Sequence, residues 1–211
     1  MKATVLALLC ALLTACSVLS PTKGDAPTFY SLDAAAATDR AFAATIPMPN
    51  ASAPTLLVAP TRAAAGFDSP RIIYTREPHA IAYFAHSEWV DTPARMLGTL
   101  LVSAMERSSA FRAVSVTSAA ADGDLRLDTE LVRLQHEFQM QPSRVRFTLR
   151  ATLVDERTRR VLGGREIDSV VESASQDPYG GVVAANAAVQ RALQELTAFC
   201  IETLRQRPNQ P

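Results

Sequence analysis

Ser143-Arg144-Val145-Arg146-Phe147-Thr148-Leu149-Arg150-Ala151-Thr152-Leu153-Val154 decides how this chain folds. Val145, Phe147, Leu149, Ala151 and Leu153 are apolar, and Arg144, Arg146, Thr148, Arg150 and Thr152 alternate with them. A period of two is the period of a β-strand. Strict alternation marks a strand with one face on a core and the other in water. Residues 155–159 are polar and read as a turn. Residues 161–171 return as the antiparallel partner, weakened at Gly163-Gly164, where there is no side chain to pack.

The stretch before it, residues 125–140, is a long strand with a break of phase. Leu125, Leu127 and Leu131 are odd-numbered; Val132, Leu134, Phe138 and Met140 are even-numbered. A slip of one residue sends every later side chain to the opposite face. The sequence therefore predicts a β-bulge near Leu131-Val132. Farther out, residues 29–32, 55–59, 71–74, 80–84 and 112–117 are short apolar runs bounded by Pro, Gly or polar residues. They read as strands of a meander or hairpin.

Two helices complete the pattern. Thr92-Pro93 opens the first, with Leu97, Leu100, Leu101 and Ala104 at helical spacing. Asp177-Pro178 opens the second. Its stripe is Val182, Val183, Asn186, Val189, Leu193, Leu196, Cys200 and Leu204. Asn186 in that stripe implies a hydrogen-bonded core position or an interface contact. The order β-rich, helix, β-rich, helix predicts an α+β fold, a mostly antiparallel sheet with two helices packed on one face.

The N-terminus sets the compartment. Met1-Lys2 is a short positive start, and residues 5–13 are an unbroken apolar run, too short to span a bilayer. Leu13-Thr14-Ala15-Cys16 follows. Small residues precede the cysteine, and a large aliphatic stands where an ordinary secretory cleavage site needs a small residue. This pattern is that of a bacterial lipobox, with cleavage between Ala15 and Cys16 and lipid on the Cys16 thiol. The expected organisation is a signal peptide over 1–15, a lipidated tether over 16–28, one domain over 29–205 and a disordered tail over 206–211. Residues 33–54, rich in Ala and Pro, read as a long loop or a weak helix around 34–44.

Removing fifteen residues from 211 leaves 196, enough for one packed domain. The full chain holds 21 basic and 21 acidic residues. Such a balance argues against nucleic acid as the main partner, because no excess of cations is available to displace phosphate counterions. Of three cysteines only Cys200 remains, on the apolar stripe of a helix, where it reads as a small buried hydrophobe.

Catalytic and metal chemistry is not visible. No nucleophile elbow, phosphate loop, dinucleotide fingerprint or zinc-protease motif occurs. His79, His86 and His136 lie in separate segments without a second ligand at metal spacing, and read as surface or loop histidines. A hydrolase would need His79 or His86 beside a serine and an acid. Asp122 and Asp124 flank Gly123 as a turn. Arg144, Arg146 and Arg150 form a row suited to phosphate headgroups, although such rows more often pair with acids on the next strand, here Asp128 and Glu130. Tyr74, Tyr83, Phe84 and Trp89 crowd four aromatics into sixteen residues. Buried they are core; exposed they suggest a protein or lipid contact.

Lipobox, Phe29-Tyr30-Ser31-Leu32, the strand from Leu56 to Pro60, Arg71-Ile72-Ile73-Tyr74, the aromatic run to Trp89 and Pro93, and a last helix after Asp177 follow one another. In that order they resemble the ABC-type transport auxiliary lipoprotein (PqiC-like) family. The resemblance implies a non-enzymatic outer-membrane lipoprotein facing the periplasm. It implies no cofactor beyond the covalent N-acyl and S-diacylglycerol lipid on Cys16. It also implies an MCE-domain (MlaD-like) partner with its ABC permease and ATPase, transport of phospholipid or other hydrophobic cargo, and a homo-oligomeric ring. Ser17 after the lipidated cysteine, rather than Asp, implies sorting to the outer membrane. The alternative is a structural lipoprotein that plugs or chaperones an outer-membrane assembly such as a lipopolysaccharide-export barrel.

Overall fold

The computed structural model describes residues 26–33, 52–117 and 122–206. The signal segment, Cys16 and most of the tether lie outside the described residues. So do the expected helix around 34–44 and the tail from 207.

Among the described residues the strands are β1 Thr28–Tyr30, β2 Thr55–Val58, β3 Arg62–Ala63, β4 Arg71–Thr75, β5 Ala82–Trp89, β6 Ala113–Val116, β7 Leu125–Glu137, β8 Arg144–Asp155 and β9 Val161–Glu172. The helices are α1 Pro93–Arg107 and α2 Pro178–Arg205. The alternating stretch 143–154 is β8, and its inward set is buried: Val145, Phe147, Leu149, Ala151 and Leu153 are at most 2% exposed. It pairs antiparallel with β7 on one side and β9 on the other. The β8–β9 turn is held by Asp155, whose Oδ1 accepts from the Thr158 backbone N–H and hydroxyl, both at 2.8 Å. Gly163 is less a weak point than a clearance: a Cβ there would meet the Phe199 ring of α2 at 3.3 Å.

The bulge lies where the phase breaks. Leu131 pairs with Leu149 and Arg133 with Thr148, which leaves Val132 without a partner residue. The strand stops at Glu137, and Met140 is 54% exposed in the loop beyond, so the even-numbered inward set ends at Phe138. The other edge of β7 is shared. β2, β3 and β4 lie against it in succession, all parallel, at Leu125–Leu127, Glu130–Leu131 and His136–Glu137. They act as one interrupted strand. Beyond it the sheet forks: β6 flanks β2, and β5 then β1 flank β4. The expected hairpin is β4–β5, but β1, β2, β3 and β6 join by parallel pairings, which a meander does not contain. The long ladders are antiparallel and the short flanking ones parallel.

Both helices cover one face. Leu97, Leu101 and Met105 of α1 and Ala188, Val189, Leu196 and Cys200 of α2 join one core with β2, β7 and β8. Pro93 and Pro178 occupy first helical turns, where a missing N–H costs nothing. Asp177 caps α2, accepting from the Gly180 N–H at 2.7 Å. Thr92 holds the same position on α1, but its side chain makes no capping bond; the Asp91 carboxylate accepts from the Thr92 N–H instead. Val183 is 49% exposed and leaves the expected stripe. Asn186 does join elements: its amide donates to the Ser31 carbonyl at 3.2 Å and its oxygen accepts from the Asp33 N–H, fastening the exit of β1 to α2.

If Val132 is only the extra residue of the bulge, deleting it leaves Leu131 and Leu134 on the core face, and unfolding stays cooperative. Deleting Thr129 forces Leu131 outward or Glu130 inward. That costs at least as much as Leu131→Ala, about 2–5 kcal/mol. Urea titrations compare the two deletions; equal losses would contradict this role for the bulge.

Candidate functional site

The four clustered aromatics part company. In the β4–β5 ladder Arg71 pairs with Glu88, and Ile73 with Tyr83. Extra residues bulge out of β5 between these pairs. Phe84 and Trp89 therefore both face the helices despite opposite parity. Trp89 is 4% exposed and belongs to the core. Tyr83 turns to the open face, 39% exposed, with the Arg71 guanidinium 5.0 Å from its ring centre. Tyr74 and Phe84 stay together, ring centres 4.7 Å apart.

Phe138, which the sequence reading counted only as core, completes this cluster at 5.8 Å from Tyr74, edge to face. The exposed Arg76 lies 5.5 Å from the Tyr74 ring and 5.4 Å from that of Phe138. Such cation–π contacts hold the guanidinium flat over an aromatic platform. The loops at this end are tied together. The Phe138 N–H donates to the Thr75 carbonyl at 2.8 Å, and the Gln139 amide to the Thr75 hydroxyl at 2.9 Å. Ile81 and Met140, 48% and 54% exposed, project beside them. The result is a braced tip with apolar side chains and one stacked cation in solvent.

His136 is the residue that spacing misplaced. It is 1% exposed and lies in the core layer, not on the surface. Its Nε2 is 2.9 Å from the Ser143 hydroxyl, its ring centre 4.1 Å from that of Phe138, and its Nδ1 has no partner. A Cβ on Gly181 would sit 2.6 Å from that Nδ1, so the glycine is what lets the first turn of α2 close over the ring. Ile72, Trp89, Leu134, Val145 and Ala185 line the same small pocket. A histidine next to a serine suggests hydrolysis, but Ser143 is 0% exposed and offers its hydroxyl to no substrate. His79, in a left-handed turn at φ 64°, and His86 are both exposed. No group of three metal-ligating side chains occurs among the described residues.

The arginine row is compensated. On the face of the sheet away from the helices, Arg144 and Arg146 share Glu137 at 2.8 and 2.9 Å. Arg146 also pairs with Asp168. Arg150 reaches Glu130 at 2.8 Å and Glu166 at 2.9 Å. Asp128 pairs with Arg126 rather than with the row. Burial pushes the Glu137 carboxyl up, but hydrogen bonds from Arg144, Gln135 and Arg146 outweigh it and hold the group below the ordinary range. Each of the three arginines thus meets a carboxylate on a neighbouring strand, and the row leaves no cationic cradle for a phosphate.

Two buried groups shift for want of water. Burial pushes the Cys200 thiol up to about 12, so it stays protonated and unreactive. Burial also pulls His136 down to about 4, against a smaller upward pull from the Asp177 carboxylate. Unfolded, the same imidazole titrates near 6.5. The unfolded chain binds the extra proton first, so stability is full above about pH 6.5 and falls as pH drops towards 4. The loss is of order 3 kcal/mol across that window. His136→Gln removes this part of the slope; an unchanged pH dependence of the urea midpoint would refute the assignment. Gly181→Ala overpacks the same spot and costs about 1–3 kcal/mol in the same titration.

The comparisons bear on the whole domain. The family model for the ABC-type transport auxiliary lipoprotein component matches residues 30–199. No curated protein matches the chain. Among solved structures, a protein of Xanthomonas campestris is 24% identical, with 85% of this chain and 98% of that one covered at a TM-score of 0.70. An uncharacterised protein is 11% identical, with 83% and 99% covered at 0.64. Both likenesses are of fold. A hypothetical protein from Chlamydia trachomatis is 9% identical, with 74% and 100% covered at 0.47. With a matching model that runs from the end of β1 into α2, this chain belongs to the ABC-type transport auxiliary lipoprotein component family.

Proposed function

We propose that the protein is a non-enzymatic outer-membrane lipoprotein of an MCE-type ABC transport system, which moves phospholipid or other hydrophobic cargo between the inner and outer membranes. The observation that carries this reading is the family match over residues 30–199. In it, cleavage between Ala15 and Cys16 exposes the new N-terminal cysteine. Cys16 then takes an S-diacylglycerol and an N-acyl chain. At about 0.8 kcal/mol per buried CH₂, two or more chains anchor a protein stably where one does not. No helix among the described residues is long and apolar enough to cross a membrane, so a separate anchor suits the rest of the chain.

The braced tip is the surface proposed to meet the MCE-domain partner, through Ile81, Tyr83 and Met140 around the Tyr74–Phe84–Phe138 cluster. Aromatic and methionine side chains beside an arginine match the make-up of interface centres, and the loop ties hold them in place before binding. Trp89 is removed from the contact set by its burial. A homo-oligomeric ring would repeat this tip around the partner.

Photocrosslinkers placed at Tyr83 and Met140 in the living envelope should capture an MCE-type protein, while one at Val161, at the distant start of β9, should not. Cys16→Ala should leave the domain folded and abolish its contribution to envelope integrity. Absence of any MCE-type product, with unchanged permeability on deletion, overturns the proposal.

A further inference from the structure

We propose that the edge of the sheet around β1 is a membrane-resting surface, which seats the domain on the same bilayer that holds its lipid. This rests on the lipid anchor at Cys16 proposed above. Of the nine large apolar side chains exposed among the described residues, four lie on this edge: Phe29 at 57%, Val90 at 58%, Tyr179 at 64% and Val183 at 49%. β1 is the last strand on its side of the sheet. Phe29 shares the open face with Glu88, its neighbour in the ladder. Tyr30 points the other way and meets Tyr179, ring centres 6.5 Å apart. Tyr179 and Val183 lie one helical turn apart on α2. The Val90 N–H donates to the Tyr30 carbonyl at 2.8 Å and brings the fourth apolar side chain alongside.

This edge is built, not frayed. Asn186 of α2 grips the backbone at Ser31 and Asp33, and Leu32 between them is 6% exposed. The apolar side chains are therefore displayed from a fixed frame, and little ordering entropy is lost on contact.

The occupant follows from where the chain outside the structure arrives. Eleven residues lie between Cys16 and Thr28, the first residue of β1, and the span is at most about 40 Å. Of the exposed apolar groups, this one adjoins the end of the tether. A tether turns weak surface binding into an intramolecular equilibrium at an effective concentration in the millimolar range. Four side chains that would not hold a free protein to lipid are then enough to hold a tethered one. Tyr179 suits the place, with an apolar ring for the acyl boundary and a hydroxyl for the headgroups.

The test uses the full-length lipidated protein in vesicles of phosphatidylethanolamine and phosphatidylglycerol at three to one. An environment-sensitive dye is placed on Tyr179→Cys, on Val183→Cys and, as control, on Val161→Cys, which is exposed at the start of β9. Cys200 is buried and does not compete for label. The expected result is a several-fold rise in emission at 179 and 183 and quenching by brominated acyl chains, with neither at 161. Phe29→Ser in the labelled protein should reduce the quenching at 183. Equal signals at all three sites overturn the proposal. So does a rise that follows protein density without bromolipid quenching, because it assigns the edge to a second copy or another protein. Intact mass of the same samples separates the two layers of argument. Lipid present without quenching refutes the resting surface and leaves the anchor standing; lipid absent from Cys16 refutes both.

Discussion

The structure depends on β7 keeping both of its edges hydrogen-bonded while changing face halfway along. One edge runs the length of β8. The other is filled piecewise by β2, β3 and β4, which reach it from three separate excursions of the chain. The unpaired Val132 lets the strand switch parity, so Leu125, Leu127 and Leu131 before it and Leu134 and His136 after it all face the helices. Paired without that bulge, the same sequence would turn Arg133 and Gln135 towards the helices and Leu134 and His136 away from them. Each helix is anchored to a different part of this surface: α1 with β2 and β6, α2 with β8 and β9.

The two faces of the sheet solve different problems. Towards the helices, large apolar side chains are excluded from water and the few polar groups are fastened, as His136 is to Ser143. On the open face Arg144, Arg146 and Arg150 stand among Glu130, Glu137, Glu166 and Asp168. These pairs are mostly half-exposed, and each contributes little in water. Their effect is to cover an uncovered sheet with balanced charge, which discourages face-to-face association. The apolar exposure that remains is confined largely to the tip and to the β1 edge.

How much of this could be read in advance follows from range. The alternation in β8 and the phase break in β7 were legible because each is written within one strand, by a core on one side. The proline-led starts of both helices were legible for the same local reason, though only Asp177 makes the capping bond and Thr92 does not. The parallel docking of β2, β3 and β4 was not, because the partner of Leu56 is Leu125, far along the chain, and four apolar residues carry no mark of whom they pair with. His136 is a case where the signal was present and misapplied. The phase that turned Leu134 and Phe138 inward also turned His136 inward, but its chemistry argued for the surface. Trp89 was hidden by the bulge in β5, which has no pattern in the sequence. Arg76 stacks on nearby Tyr74 and also on Phe138, the second a contact between loops distant along the chain.

The interrupted strand has a consequence in time. β7, β8 and β9 are joined by two hairpins and close over a short stretch of chain, so their contacts carry a small loop-closure cost. β2, β3 and β4 come earlier in the sequence yet nothing joins them into one sheet until β7 exists. A chain made N-terminus first presents its apolar Leu56, Leu57, Ile72 and Ile73 well before their template. Until the second half arrives, that first half holds only the β1–β5–β4 and β2–β6 pairings with no strand between them, exposed to aggregation and proteolysis. The architecture therefore makes completion of the sheet run backwards along the sequence, from the C-terminal ladders towards β1.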